Sequence, residues 1–188
     1  MRVFIGMMTP PEVDDALDAA LDVDAVAEEI GPGLTPRWTQ PRDRHLTVRF
    51  IGETGDVETV VRAATLAATL TEPPLLRVGP RAVFLTERAL VMPVAGAEEI
   101  AAAVDRELVG AGFEARPFTG HITLARAPRR RGGSVRTRRA PVHPPVDEVW
   151  EPPALEVIES VRGGPTRYRV VASCPFAGRT LAEPAAPR

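Results

Sequence analysis

The chain alternates short apolar runs with longer amphipathic ones, and the two periods separate strands from helices. Met1 to Met8 is apolar and partly β-branched and stops at Thr9-Pro10-Pro11, which predicts a buried strand. From Pro11 to about Glu29, Val13, Leu17, Leu21 and Ala25 recur at helical spacing, so one helix is expected, capped by Thr9 and ended by Gly31-Pro32-Gly33. Arg44 to Ile51 alternates polar and apolar residues between Gln40-Pro41-Arg42-Asp43 and Gly52, the pattern of a strand with two different faces. A second helix is predicted from Val57 to Leu70, ended by Thr71-Glu72-Pro73-Pro74. One strand is expected within Leu75 to Leu85 and another in Ala89 to Val94. A third helix is expected over Ala97 to Val109, with Ile100, Val104 and Leu108 on one stripe and Gly110-Ala111-Gly112 as its stop. Phe118 to Arg126 is again an alternating strand. Ala154 to Val161 and Thr166 to Ala172, joined by Arg162-Gly163-Gly164-Pro165, read as a β-hairpin.

A helix followed by a strand that carries His-x-Thr occurs once in each half, as a diverged duplication would give. Neither GxGxxG nor GxxxxGK[ST] is present, which argues against a Rossmann or P-loop unit, and two copies are too few for a solenoid. The fold class expected is α+β with two sheet lobes. At 188 residues the chain buries one good core, expected as a single bilobal domain over 1–176 with a loose tail over 177–188.

Composition narrows the setting. The hydrophobic and charged fractions, 44% and 26%, are those of a soluble globular protein, and Cys174 alone builds neither a disulfide nor a zinc cluster, so a reducing cytoplasm is expected. No apolar run reaches the roughly 20 residues of a bilayer span, and no signal pattern opens the chain. A net charge of -2 argues against nonspecific coating of nucleic acid, yet all 23 basic side chains are arginine, whose planar fork suits phosphate. The segment from Arg126 to Arg139 holds seven arginines and no acid, and is expected to form a loop that steers polyanions toward whatever lies beside it.

The chemistry lies in His45-Leu46-Thr47 and His121-Ile122-Thr123. With a period of two, His45, Thr47 and Arg49 share one strand face, opposite Leu46, Val48 and Phe50; His121 and Thr123 likewise oppose Ile122 and Leu124. Histidine, with a reference pKa of about 6.5, both accepts and donates a proton near neutral pH, so two facing imidazoles suit a base and an acid in one displacement. A threonine two residues on is placed to hydrogen-bond a phosphate oxygen held between them. Metal catalysis finds little support, because neither motif belongs to an HExxH, HxH or carboxylate-histidine arrangement and His143 falls in a proline-rich loop. No G-x-S-x-G elbow is present for a serine nucleophile. Neither metal nor organic cofactor is expected.

These segments resemble the 2H phosphoesterase superfamily, and within it the RNA 2′,3′-cyclic phosphodiesterases, historically called 2′-5′ RNA ligases. The likeness runs through Arg2-Val3-Phe4-Ile5-Gly6, Arg37-Trp38-Thr39, His45-Leu46-Thr47-Val48-Arg49-Phe50-Ile51-Gly52, Phe118-Thr119-Gly120-His121-Ile122-Thr123-Leu124-Ala125-Arg126, and the stretch from Ser160 to Val171. It implies a bilobal, pseudo-symmetric fold in which two antiparallel sheets face a central cleft, with helices outside, each lobe supplying one His-x-Thr. It implies hydrolysis of an RNA-terminal or nucleotide 2′,3′-cyclic phosphate to a 2′-phosphate, with His45 as proton donor, His121 as proton acceptor, and Thr47, Thr123 and Arg126 on the phosphate. The division between donor and acceptor rests on the resemblance alone. Partners are then RNA ends or nucleotides bearing that phosphate, with no membrane and no protein partner, and the chain is expected to act as a monomer.

Two positions depart from the family pattern. Gly120 stands where the family often has proline, and strict alternation puts Arg126 opposite His121 unless the strand bends or bulges. Phe50 fits core packing better than the mouth of a base site. Two other readings stay open: a phosphodiesterase acting on a 2′-5′ oligonucleotide or small cyclic phosphate, and a noncatalytic nucleotide-binding module.

Overall fold

In the computed structural model, residues 1–30, 35–86, 88–128, 145–161 and 167–178 are described, without the side chains of 28–30. The expected stop at Gly31-Pro32-Gly33, the arginines from 129 to 139, His143, the turn at Arg162 to Pro165 and the tail from 179 onward lie outside the described residues.

The strands are β1 (Arg2–Met8), β2 (Arg37–Trp38), β3 (His45–Glu53), β4 (Leu76–Val78), β5 (Val83–Thr86), β6 (Ala89–Ala95), β7 (His121–Arg126), β8 (Glu148–Trp150), β9 (Ala154–Ser160) and β10 (Tyr168–Pro175). The helices are α1 (Pro11–Ala20), α2 (Val23–Ile30), α3 (Val57–Leu70) and α4 (Glu98–Gly110). All strand pairs are antiparallel. The order is β10-β9-β1-β3-β7-β6-β4-β8, with β2 added to β7 and β5 to β6. The expected lobes are thus the two four-stranded halves of one strongly curled sheet, α+β in class, joined where β3 meets β7.

That junction is narrow. The two central strands share the register Leu46 opposite Ile122, and both side chains are fully buried on the helix side. Burying each contributes on the order of 2 kcal/mol, and slipping either strand by one residue would turn that side chain out of the core. Ile5 and Met7 of β1, Ala63 and Ala67 of α3, and Ile100, Val104 and Leu108 of α4 belong to the same core. Alanine on the inner face of α3 lets that helix lie close against β9, β10 and α4, while α4 also packs on β3. The opposite, concave side of the sheet is left for chemistry.

Some elements differ from expectation. The single helix over 11–29 is two, because Leu21 is extended and the Asp22 carboxylate accepts from the Ala25 N–H at 3.0 Å, capping a second start. Thr9 is no cap; its hydroxyl donates to Asp14 Oδ1 at 2.8 Å. The strand expected within 75–85 is split at Gly79-Pro80 into β4 and β5. The short strands β2 and β8 carry too few residues to show a period.

Candidate active site

Continuing the Leu46–Ile122 register by one residue either way sets His45 across from Thr123 and Thr47 across from His121. All four are half-buried, while Leu46, Val48, Ile122 and Leu124 are buried beneath them. The histidines are therefore diagonal neighbours on one face, roughly 7–8 Å apart for such a pair in a regular ladder and somewhat less between Cβ atoms. A local two-fold through the Leu46–Ile122 pair exchanges the motifs.

The ring contacts repeat the symmetry. His45 Nδ1 lies 2.7 Å from the Asp43 carbonyl oxygen, and His121 Nδ1 lies 2.7 Å from that of Thr119, each two residues back along the chain. A carbonyl oxygen only accepts, so each Nδ1 carries the proton and each neutral ring keeps Nε2 as its acceptor. Burial pushes the His45 pKa below the usual imidazole value; Asp43 acts in the other direction, and the charges of His121 and Arg126 add to the lowering. Those two basic groups thus lie close enough for their charge to be felt at His45.

Each motif is followed by a bulge. On β3 the register with β1 skips Val48, which re-phases the strand: Phe4 pairs with Phe50, Gly6 with Thr47 and Met8 with His45. Phe50 therefore joins His45 and Thr47 on the concave side, 40% exposed, with the Arg2 guanidinium over its ring, and it is not the core residue that alternation gave. Arg49 turns to the helix side, correcting the shared face expected for it with His45. There it is buried and ion-paired with Asp105 of α4 at 2.6 Å, and its Nη2 donates to the Glu114 carbonyl in the segment leading to β7.

On β7 the register with β6 skips Leu124, so Ala125 turns inward and Arg126 pairs with Ala89 on the same face as Thr123 and His121. The bulge thus brings Arg126 to the histidine side that strict alternation denied it. Bulges re-aim side chains in this way because one extra residue reverses the alternation beyond it.

Two backbone approaches leave no room for a side chain. A Cβ on Gly6 would lie 2.5 Å from the Leu46 carbonyl oxygen, and one on Gly120 would lie 2.1 Å from that of Val94. Gly120 also accepts from the Val94 N–H at 3.0 Å, so the residue before the second motif is pinned to β6. A proline here, like any residue with a Cβ, would meet the same carbonyl, so the packing requires glycine before the second motif.

Aromatic rings that the motifs did not mark surround His45. Phe4 lies 4.7 Å from the imidazole centroid, tilted, and Tyr168 meets it edge-on at 4.7 Å. Behind His45 the buried Arg44 guanidinium donates to the Asp14 carbonyl at 3.1 Å and pairs with Asp14 and Asp18, fixing the turn that carries the Asp43 carbonyl. Only strand pairing brings these residues together, so no local spacing could have found them. Among the described residues no group of three or more His, Cys, Asp or Glu stands close enough to hold a metal ion, and no helix is long and apolar enough to cross a membrane.

No family model matches the chain, and no curated protein matches it. Solved structures do. The crystal structure of TT0787 of Thermus thermophilus superimposes with a TM-score of 0.70 at 22% identity, covering 95% of this chain and 99% of that one. A structure described as a phosphoesterase gives 0.66 at 19%, covering 94% and 98%. E. coli LigT with phosphate gives 0.63 at 21%, covering 94% and 97%. This is the 2H phosphoesterase fold. The 2H fold spans nearly the whole chain in these comparisons, and in this chain the two His-x-Thr strands occupy its centre.

Proposed function

We propose that the chain is a metal-independent phosphodiesterase that opens a 2′,3′-cyclic phosphate on an RNA end or nucleotide to a 2′-phosphate. The observation that carries this reading is the pair of imidazoles on one sheet face, each with Nδ1 tied to a carbonyl and Nε2 left for a reacting group. E. coli LigT, of the same fold, has been crystallised with 3′-AMP, NADP+, ATP and phosphate, which supports a nucleotide phosphate as the ligand class here.

In the proposed reaction His121 Nε2 takes a proton from water as its oxygen bonds to phosphorus, the bond from phosphorus to the 3′ oxygen breaks, and His45 gives that oxygen a proton. Thr47, Thr123 and Arg126 hold the non-bridging oxygens. The lowered His45 pKa works against a proton donor in the free protein, but a phosphodiester anion between the rings favours the imidazolium and restores the proton when substrate binds. The setting proposed is a cytoplasmic monomer.

The test is turnover of a nucleoside 2′,3′-cyclic phosphate in excess chelator, with the position of the product phosphate identified. A 2′-phosphate formed at an undiminished rate supports the proposal. Loss of activity in chelator, a 3′-phosphate product, or nucleotide recovered unhydrolysed after long incubation overturns it.

A further inference from the structure

The reacting phosphoryl group accounts for the histidines, the threonines and Arg126, and leaves unused a basic residue that stands directly opposite Arg126. β2 and β3 both pair with β7, β3 at Ile122 and β2 at Ala125 and Arg126. Arg37 is the cross-strand partner of Arg126, so two guanidinium side chains stand opposite each other on the histidine face. Trp38, paired with Ala125, turns the other way and packs against the core, and the Thr39 N–H donates to the Leu124 carbonyl at the bulge at 2.8 Å. The backbone of Arg37 is thus placed by its pairing with β7 and by the packing of Trp38.

Both arginines are exposed, and among the described residues neither forms an ion pair. Like charges directly opposite each other on a ladder are unfavourable, and an anion between or beside them removes the penalty. Arg126 lies three residues beyond Thr123, one of them taken up by the bulge, so the pair stands roughly 7–10 Å along the strand from the phosphate-holding hydroxyl. That is the scale on which phosphates follow one another along an extended nucleotide chain. Arg126 lies on β7 itself, on the face of Thr123 and His121, whereas Arg37 stands one strand further out, on β2, and is left for the next phosphate.

We infer that Arg37 binds the phosphate on the 5′ side of the terminal nucleoside, so that an RNA end or a 5′-phosphorylated nucleotide is preferred as substrate over a bare nucleoside cyclic phosphate. This rests on the phosphodiesterase reading of the same site.

The experiment compares a nucleoside 2′,3′-cyclic phosphate with its 5′-phosphorylated counterpart, using wild type, Arg37→Gln and Arg37→Lys. Wild type should prefer the 5′-phosphorylated substrate by about tenfold or more in kcat/KM, the scale of a charge-assisted hydrogen bond, and Arg37→Gln should collapse that preference. On a short oligoribonucleotide with a cyclic end, the slope of log kcat/KM against log salt should become shallower by about 0.7 in Arg37→Gln, and Arg37→Lys, which keeps the charge, should restore it. No wild-type preference, or an equal loss on both substrates in Arg37→Gln, overturns the inference. If wild type turns over neither substrate, the phosphodiesterase reading has failed. Calorimetric binding of the nucleoside 2′-phosphate with and without a 5′-phosphate then decides the subsite, and equal affinities in wild type overturn it.

Discussion

Arg49 and Asp105 should respond unequally to mutation. The guanidinium is 5% exposed, Nη1 is 2.6 Å from Asp105 Oδ1, and neither Nη1 nor Nε has an aligned hydrogen-bond partner. Asp105 is 26% exposed and also accepts from the Arg116 N–H at 3.3 Å. Removing the carboxylate leaves a buried, unpaired charge, for which breaking a buried pair costs about 3–5 kcal/mol; water reaching the Asp105 side puts Asp105→Ala near the lower end, about 3 kcal/mol. Arg49→Met removes the charge, fills most of the same volume and leaves Asp105 where water can reach it, so its cost should be about 1 kcal/mol or less. The double variant should be no less stable than Asp105→Ala, because the liability has gone with the arginine. Urea unfolding reads this as a shift in midpoint at constant slope. If Arg49→Met destabilises as much as Asp105→Ala, desolvation of the arginine is not what decides the balance, and the pair's net attraction exceeds that desolvation.

Three further outcomes follow from the same geometry. Gly120→Ala, which drives a Cβ against the Val94 carbonyl oxygen, should cost about 1–3 kcal/mol in urea unfolding and lower turnover by displacing the Thr119 carbonyl from His121; a neutral effect on both would show that the approach relaxes freely. Burial pushes the Glu156 carboxyl above its usual pKa while its Oε2 accepts from the Met8 N–H at 3.1 Å beside a cavity of about 140 Å³. The folded state then binds protons more readily than the unfolded one, so this group's contribution is present at low pH and is lost as pH rises through the raised value. Glu156→Gln, which keeps an acceptor for Met8, should gain stability over wild type as pH climbs from 4 to 7, and a constant difference would refute the assignment. For His45 the sign is opposite: its folded pKa is lowered, so its contribution is present above about 6.5 and is lost as pH falls below that. In NMR titration its midpoint should lie below about 6.5 in the free protein and rise when a nucleoside 2′-phosphate binds; a midpoint that does not move would place the anion elsewhere.

Long periodic segments were legible without coordinates. The helix expected over Val57 to Leu70, ended at Thr71, is α3 with those bounds, and the structure adds its start signal, the Asp56 carboxylate accepting from the Thr59 N–H. The first strand and the final pair of strands also lie where their apolar runs put them, because burial on the helix side imposes the pattern directly. What alternation could not give is the phase beyond Val48 and Leu124. A bulge is a relation between two strands, recorded in the partner's register and not in the bulged strand's own residues, so Arg49, Phe50 and Arg126 each lie on the face opposite to that of strict alternation. The split at Leu21 escaped for a related reason. Helical spacing continues across it, and only Asp22 capping Ala25 breaks it. His45, Thr47, His121 and Thr123 precede the bulges in their strands, so their shared face could be read from sequence. The Tyr168 ring beside His45 could not, since it comes from a strand three places away in the sheet.

The central claim is that two imidazoles act on one phosphoryl group, and the most direct test is turnover of a 2′,3′-cyclic nucleotide by His45→Ala, His121→Ala and the double variant, all in excess chelator and all confirmed folded. Each single variant should lose at least about a hundredfold, and the double should fall little further than the worse single, as groups that act as a unit do. Full activity in either single variant would contradict the account.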